Sequence, residues 1–212
     1  MFASFLAGFK GHPLENVVTV ALHTGARLNE ILAIRHADID EMKGTLRIAQ
    51  AVERTKAYGV RFKKPKSGKG RELTIDAGLL ALFRRERAAL ARLIAGVPVN
   101  AEVDISLVKL PADALVFWAV PRGEALHFKN PRNASDISRN FRKHATALGY
   151  PKLRFHDLRG SHETALLDLG VGVHVVAARC GHSAAMLLKK YAERTQSADA
   201  KAADAMTALF KA

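Results

Sequence analysis

The sequence predicts a mainly helical α+β fold carrying a small three-stranded antiparallel sheet, all in one domain. Three observations predict it. Apolar residues recur at helical spacing through most of the 212-residue chain. Strand-like alternation is confined to residues 45–75, where Gly59, Gly68 and Gly70 punctuate turns. No repeat, low-complexity tract or linker divides the chain, which is long enough for one sizeable core.

The elements follow in order. From Pro13 to Ile34 the apolar spacing is helical and breaks near Thr24-Gly25, with Val17, Val18, Ala21 and Leu22 on one face and Leu28, Ile31 and Leu32 on the next. Leu46-Arg47-Ile48, Val60-Arg61-Phe62 and Glu72-Leu73-Thr74-Ile75 alternate and are read as the three strands. Residues 77–95 return to a helix with a broad leucine-rich side. Residues 96–113 are irregular, and Leu115-Val116-Phe117-Trp118 is a short apolar segment of strand character. Helical patterns then cover about 134–147, 157–168, 173–179 and 184–193, with Leu158, Ala165, Leu166 and Leu169 expected on the buried side of the second. An alanine-rich helix is expected at 198–210.

Composition narrows the function. Thirty-three Lys and Arg against twenty Asp and Glu leave a formal net charge of +13 and a pI near 10.2. Such an excess favours polyanions, because neutralised phosphates release condensed counterions. No stretch reaches the roughly 18–20 apolar residues of a membrane span, and no signal peptide opens the chain. The single cysteine, Cys180, excludes an internal disulfide and a cysteine-rich zinc site. A cytoplasmic protein without membrane contact is expected.

Several residues carry chemistry. Arg27 opens a helix whose next turn holds Glu30, either as a surface ion pair or as a phosphate clamp held by a carboxylate. Between Arg54 and Arg71 eight basic residues run without an acid, among them Lys63, Lys64, Lys66, Lys69 and Arg71, around an expected hairpin turn at 66–70. Such a run suits DNA-backbone contact, as do Arg139 and Lys143 downstream, and a mobile turn could carry a lysine as general acid. His156 and Arg159, three apart, share a helix face, and an arginine among apolar positions needs an anionic partner. Gly181-His182-Ser183 reads as a turn into a helix that carries Tyr191 nine residues after His182. Alone, each of these has a structural reading. Together they supply a phenol, two guanidiniums, two imidazoles and a lysine, a set able to attack a phosphodiester without a metal. No metal-ligand cluster, nucleotide-binding loop or serine-hydrolase motif occurs, and no cofactor is expected.

In this order, Arg27, a hairpin lysine, His156-x-x-Arg159, Gly181-His182 and Tyr191 resemble the catalytic domain of the tyrosine recombinases, the phage integrase family. The resemblance runs from about residue 13 to 195. It implies that Tyr191 attacks the scissile phosphate, forming a 3′-phosphotyrosyl link and freeing a 5′-hydroxyl. Arg27 and Arg159 would stabilise the transition state, His156 would assist proton transfer at the tyrosine, and His182 would hydrogen-bond a nonbridging oxygen. Lys66 is the lysine the resemblance selects to protonate the leaving oxygen, with Lys64 and Lys69 as alternatives. Double-stranded DNA and the other protomers of a DNA-bound tetramer are the implied partners, and a mobile element the implied setting.

The chain departs from the family's pattern at Gly160, Ser161 and His162 and at Cys180. Residues 1–212 are expected to form a single catalytic domain lacking the family's N-terminal DNA clamp, with 196–212 as a tail helix. The alternatives are a type IB topoisomerase-like nicking and resealing enzyme, or a DNA-binding module that has lost turnover.

Overall fold

The computed structural model describes residues 2–64, 70–98, 100–120 and 127–192, with residues 190–192 described through their backbone alone. Eight helices and five short strands lie in the described residues: α1 (Phe2–Ala7), α2 (Glu15–Thr24), α3 (Leu28–Ile31), β1 (Ile39–Asp40), β2 (Thr45–Ile48), β3 (Ala51–Thr55), β4 (Gly59–Lys63), β5 (Arg71–Thr74), α4 (Ala77–Ala95), α5 (Ala134–Ala147), α6 (Asp157–Asp168), α7 (Val173–Cys180) and α8 (Ala184–Ala192). None of these helices is long and apolar enough to cross a membrane.

Helix α2 is the hub. It presents Val17, Val18, Val20 and Ala21 to the interior and packs on α1, α3, α4 and α6. Each such aliphatic side chain contributes about 1.5–3 kcal/mol when removed from water. Helix α1, too short to show a sequence period, is held by aromatic packing. Phe5 and Phe9 meet Phe141 of α5, and Phe141 meets Phe155 edge-on at 5.2 Å. Phe155 directly precedes His156, so this cluster anchors the start of α6. Side chains cap two of the longer helices: Asp76 accepts from the Leu79 amide at 3.0 Å, and Asn133 from the Ser135 amide at 2.9 Å.

The strands pair differently from expectation. A three-stranded antiparallel sheet exists in the order β1-β2-β5, with Leu46 opposite Leu73. The Val60–Phe62 segment is not part of it. That segment lies in β4, which forms a separate two-stranded ribbon with β3, placing Phe62 opposite Val52. The reason is burial: β2 and β5 bury Leu46, Ile48 and Leu73 in the core, whereas all of β4 is exposed. Residues 66–69 of the turn expected at 66–70 lie outside the described residues, and the flanking strands β4 and β5 belong to different sheets. Leu115 and Trp118 form only isolated bridges, to Arg35 and Pro131, because the segment changes partners along its length.

Helix α6 also corrects the sequence reading. Its buried residues are Leu158, Arg159, His162 and Glu163, while Leu169 is exposed. The inward face is polar, and each of these polar groups has a specific partner across the interface.

Candidate active site

Two glycine-ended helices bring the site together. Helix α2 stops at Gly25, whose φ of 62° suits glycine, and a Cβ there would come 2.6 Å from the His162 ring and 2.9 Å from Cys180 Sγ. Helix α7 stops at Gly181, with φ 69°, where a Cβ would meet the Arg71 guanidinium at 3.1 Å. The chain turns sharply at both points because nothing larger fits. Arg27 follows the first turn and His182 the second.

Arg27 is the N-cap of α3. Its amide donates to Glu30 Oε2 at 2.8 Å and its Nη1 to Oε1 at 3.0 Å. Glu30 is buried and accepts two further bonds from Arg71, at 3.1 and 2.8 Å. Burial alone would raise the Glu30 carboxyl, but the hydrogen bonds and charges of Arg71 and Arg27 outweigh it and hold the group below its ordinary range. Arg71 Nε donates to the Arg179 carbonyl at 2.8 Å, tying β5 to the last turn of α7.

Arg159 is almost completely buried at 3% side-chain exposure, against 40% for Arg27. Its Nη1 donates to the Gly25 carbonyl at 2.7 Å and its Nη2 to the Cys180 carbonyl at 2.5 Å, so one guanidinium links both glycine turns. Among the described residues one N–H on each Nη remains without an acceptor. Burial, and then the charge of Arg27, lower its pKa, so the two guanidiniums sit close enough to repel. An anion between them would relieve that repulsion.

His182 completes the cluster. Its Nε2 lies 2.9 Å from Glu163 Oε1 and 3.3 Å from Arg159 Nε. Burial and the Arg159 charge lower its pKa, and Glu163 opposes them. His162 plays a structural part: its Nδ1 donates to the Leu22 carbonyl at 2.7 Å, and burial depresses its pKa to about 4, leaving it neutral.

The structure therefore brings Arg159 and His182 into contact and sets Arg27 within electrostatic reach of both. It does not join His156 to them by any contact: that side chain is exposed at the N-cap of α6, one turn before Arg159. Tyr191 lies near the end of α8, and its side chain is outside the described residues, as are Lys66 and Lys69. Helix α8 is held by Leu187, which packs with Val176 and Ala177 of α7 in a cluster separate from the main core. Met186 N donates to Ser183 Oγ at 3.3 Å, giving Ser183 the capping part expected of it.

Of the expected DNA contacts, Lys64, Arg139 and Lys143 are exposed. Arg139 lies 3.4 Å from Asp136, and Lys63 pairs with Glu53. Arg71 is corrected: its guanidinium is turned inward onto Glu30, with only 13% of the side chain exposed, because the Glu30 charge must be matched inside the protein. Sequence reasoning missed Glu163. Its one signal was its place one helical turn after Arg159.

The chain is 25% identical over 185 residues to a tyrosine recombinase XerC-like protein of Caldanaerobacter subterraneus subsp. tengcongensis, an alignment that covers 82% of this chain and 44% of the relative. The chain thus spans less than half the length of that curated relative. Its fold is that of the Tn1549 transposon integrase solved with circular intermediate DNA, at a TM-score of 0.71 and 18% identity over 96% of this chain and 64% of that one. The XerA recombinase is similar at a TM-score of 0.56 and 16% identity, covering 86% of this chain and 54% of that one. The sequence pattern of the phage integrase family matches residues 9–198, a span that contains both glycine turns and every residue of the arginine–histidine cluster, and this chain belongs to that family.

Proposed function

We propose that this chain is the catalytic domain of a site-specific DNA recombinase, cleaving and rejoining double-stranded DNA through a phosphotyrosyl bond at Tyr191. The observation that carries the reading is the meeting of Arg159 and His182 at two glycine turns, with Arg27 in electrostatic reach of both and, among the described residues, an unused N–H on each Arg159 Nη. A scissile phosphate fits this place: two guanidiniums offset the charge that grows on its oxygens as phosphorus becomes pentacoordinate. The Tyr191 oxygen bonds to phosphorus and the 5′ oxygen departs. His156 assists proton transfer at the phenol, and Lys66 protonates the leaving oxygen. His182 donates to a nonbridging oxygen. A second 5′-hydroxyl then displaces the tyrosine, so bond energy is conserved through exchange.

Residues 9–198 serve as one catalytic unit in this reading, working with other protomers in a tetramer on paired DNA sites of a mobile element, in the cytoplasm. The exposed Lys64, Arg139 and Lys143 suit backbone contact that positions the duplex. The test is incubation with a nicked suicide duplex of the cognate site, in which the cleaved strand end diffuses away. A covalent protein–DNA band that Tyr191→Phe abolishes is the expected result. No covalent band on any cognate duplex overturns the reading.

A further inference from the structure

Glu163 has no part in the mechanism above, yet it is 2% exposed and faces the site. Its Oε1 lies 2.9 Å from His182 Nε2 and 3.2 Å from Arg159 Nε. Burying a carboxylate costs several kcal/mol unless partners compensate, so its neighbours define what it does. One ring nitrogen cannot donate to Glu163 and accept from Arg159 at the same time. The carboxylate only accepts, and Arg159 Nε has that same carboxylate within reach, so both bonds are satisfied when His182 carries its proton on Nε2. His182 Nδ1 is then the remaining ring nitrogen, and it is buried without a partner among the described residues.

We propose that Glu163 is a positioning residue that holds His182 by Nε2, orienting the ring so that Nδ1 is the nitrogen left for the scissile phosphate. The proposal rests on the recombinase reading of the site. Its chemistry is specific. With Nε2 protonated, neutral His182 offers only a lone pair at Nδ1, which a phosphate oxygen repels. Donation to phosphate therefore requires the imidazolium, with a proton on each nitrogen. Among the described residues the charged groups facing the ring are Glu163 and Arg159 from α6 and Arg27 from the turn after α2, with Arg71 of β5 against the adjoining Gly181. Arg159 and Arg27 disfavour the imidazolium, while the charge of Arg71 is matched by Glu30. Among the described residues Glu163 is the anion in contact with the ring and favours its charged form, and an arriving phosphate adds a second. Proton uptake by His182 then accompanies phosphate binding.

Imidazole nitrogen NMR on the DNA-free protein, with His182→Gln for assignment, reads the ring directly. Wild-type His182 should appear at neutral pH as the Nε2–H tautomer. In Glu163→Gln its titration midpoint should fall by about one unit, since the favouring charge is gone while the arginines stay. An Nδ1–H tautomer in the wild type, which needs no variant to observe, or an unmoved midpoint in Glu163→Gln, overturns the proposal. Single-turnover cleavage of the nicked duplex supplies the functional arm. Glu163→Gln should lower the rate at neutral pH by about tenfold, less than deletion of a direct oxyanion donor, with DNA affinity unchanged. In a His182→Ala background the same change should have no further effect. An equal loss in both backgrounds would mean that Glu163 acts through Arg159 or the fold, and would overturn the proposal. Failure of the wild type to form any adduct would reject the recombinase reading, while the tautomer measurement would still judge Glu163.

Discussion

The Glu30 carboxylate receives both terminal nitrogens of Arg71, at 2.8 and 3.1 Å, across 41 residues of chain. That pair joins the strand leaving the lysine-bearing segment to the helix that opens with Arg27. It makes the basic site a braced structure rather than a patch of surface charge, and it has a consequence for stability.

Glu30→Gln should destabilise the fold by about 3 kcal/mol in urea denaturation, because Arg71 loses the carboxylate partner of its largely buried charge. The pH dependence has a definite sign. The folded Glu30 pKa is depressed, so its contribution is fully present above the ordinary glutamate value and is lost as pH falls through the folded one. His36 and His162, held neutral by burial with pKa values of about 4, lose stability separately as pH falls from the ordinary 6.5. Stability measured against pH should therefore keep the histidine decline in Glu30→Gln and show a shallower acid limb below it, the rest of that limb being carried by other depressed carboxylates such as Asp76 and Asp157. An unchanged acid limb would show that the Glu30 bridge does not form.

Arg27→Ala and Arg159→Ala should each slow cleavage by about 10²–10³-fold, the scale of a lost transition-state donor, with small effects on DNA affinity. They should part company in thermal unfolding. Arg159 binds the Gly25 and Cys180 carbonyls from a buried position, so its loss strands both acceptors and lowers Tm. Arg27 is partly exposed, and its removal should leave Tm nearly unchanged. Equal Tm losses in the two variants would contradict the geometry.

Tyr191→Phe should abolish covalent capture of DNA and leave non-covalent binding intact, since the ring and the basic surface remain. Electrophoretic mobility shift and a denaturing gel separate the two properties. A surviving adduct would place the nucleophile elsewhere.

Lys66→Ala should recover cleavage on a substrate whose bridging 5′ oxygen is replaced by sulfur, a leaving group that needs no general acid. Arg159→Ala should not recover. Rescue of Lys64→Ala or Lys69→Ala in place of Lys66→Ala would move the acid within the segment.

Gly25→Ala should lower both stability and cleavage. A left-handed backbone costs a non-glycine residue about 1–2 kcal/mol, and the added Cβ would press on the His162 ring at 2.6 Å. The strain falls on the carbonyl that holds Arg159. Stability and single-turnover rate falling together would report that coupling, whereas a lower Tm with wild-type cleavage would break it.

Much of this was legible along the chain. The helical spacing of 77–95, 134–147 and 157–168 matches α4, α5 and α6 end for end, because period and caps are set within a few residues of each position. Gly25 and Gly181 are punctuation readable in the same way, and Arg27 and His182 stand beside them in the sequence. The partners are another matter. Whether Val60–Phe62 pairs with β3 or joins the sheet, which face of α6 turns inward, and whether Arg71 meets DNA or Glu30 are all decided between segments distant in sequence. Local alternation looks the same in an exposed ribbon and a buried strand; only the core that Leu46 and Leu73 share distinguishes them. An arginine beside a lysine run reads as surface until a buried carboxylate elsewhere requires its charge. Glu163 was one more helical acid until folding brought α6 against the turn after α7, 19 residues on, and set its carboxylate on His182.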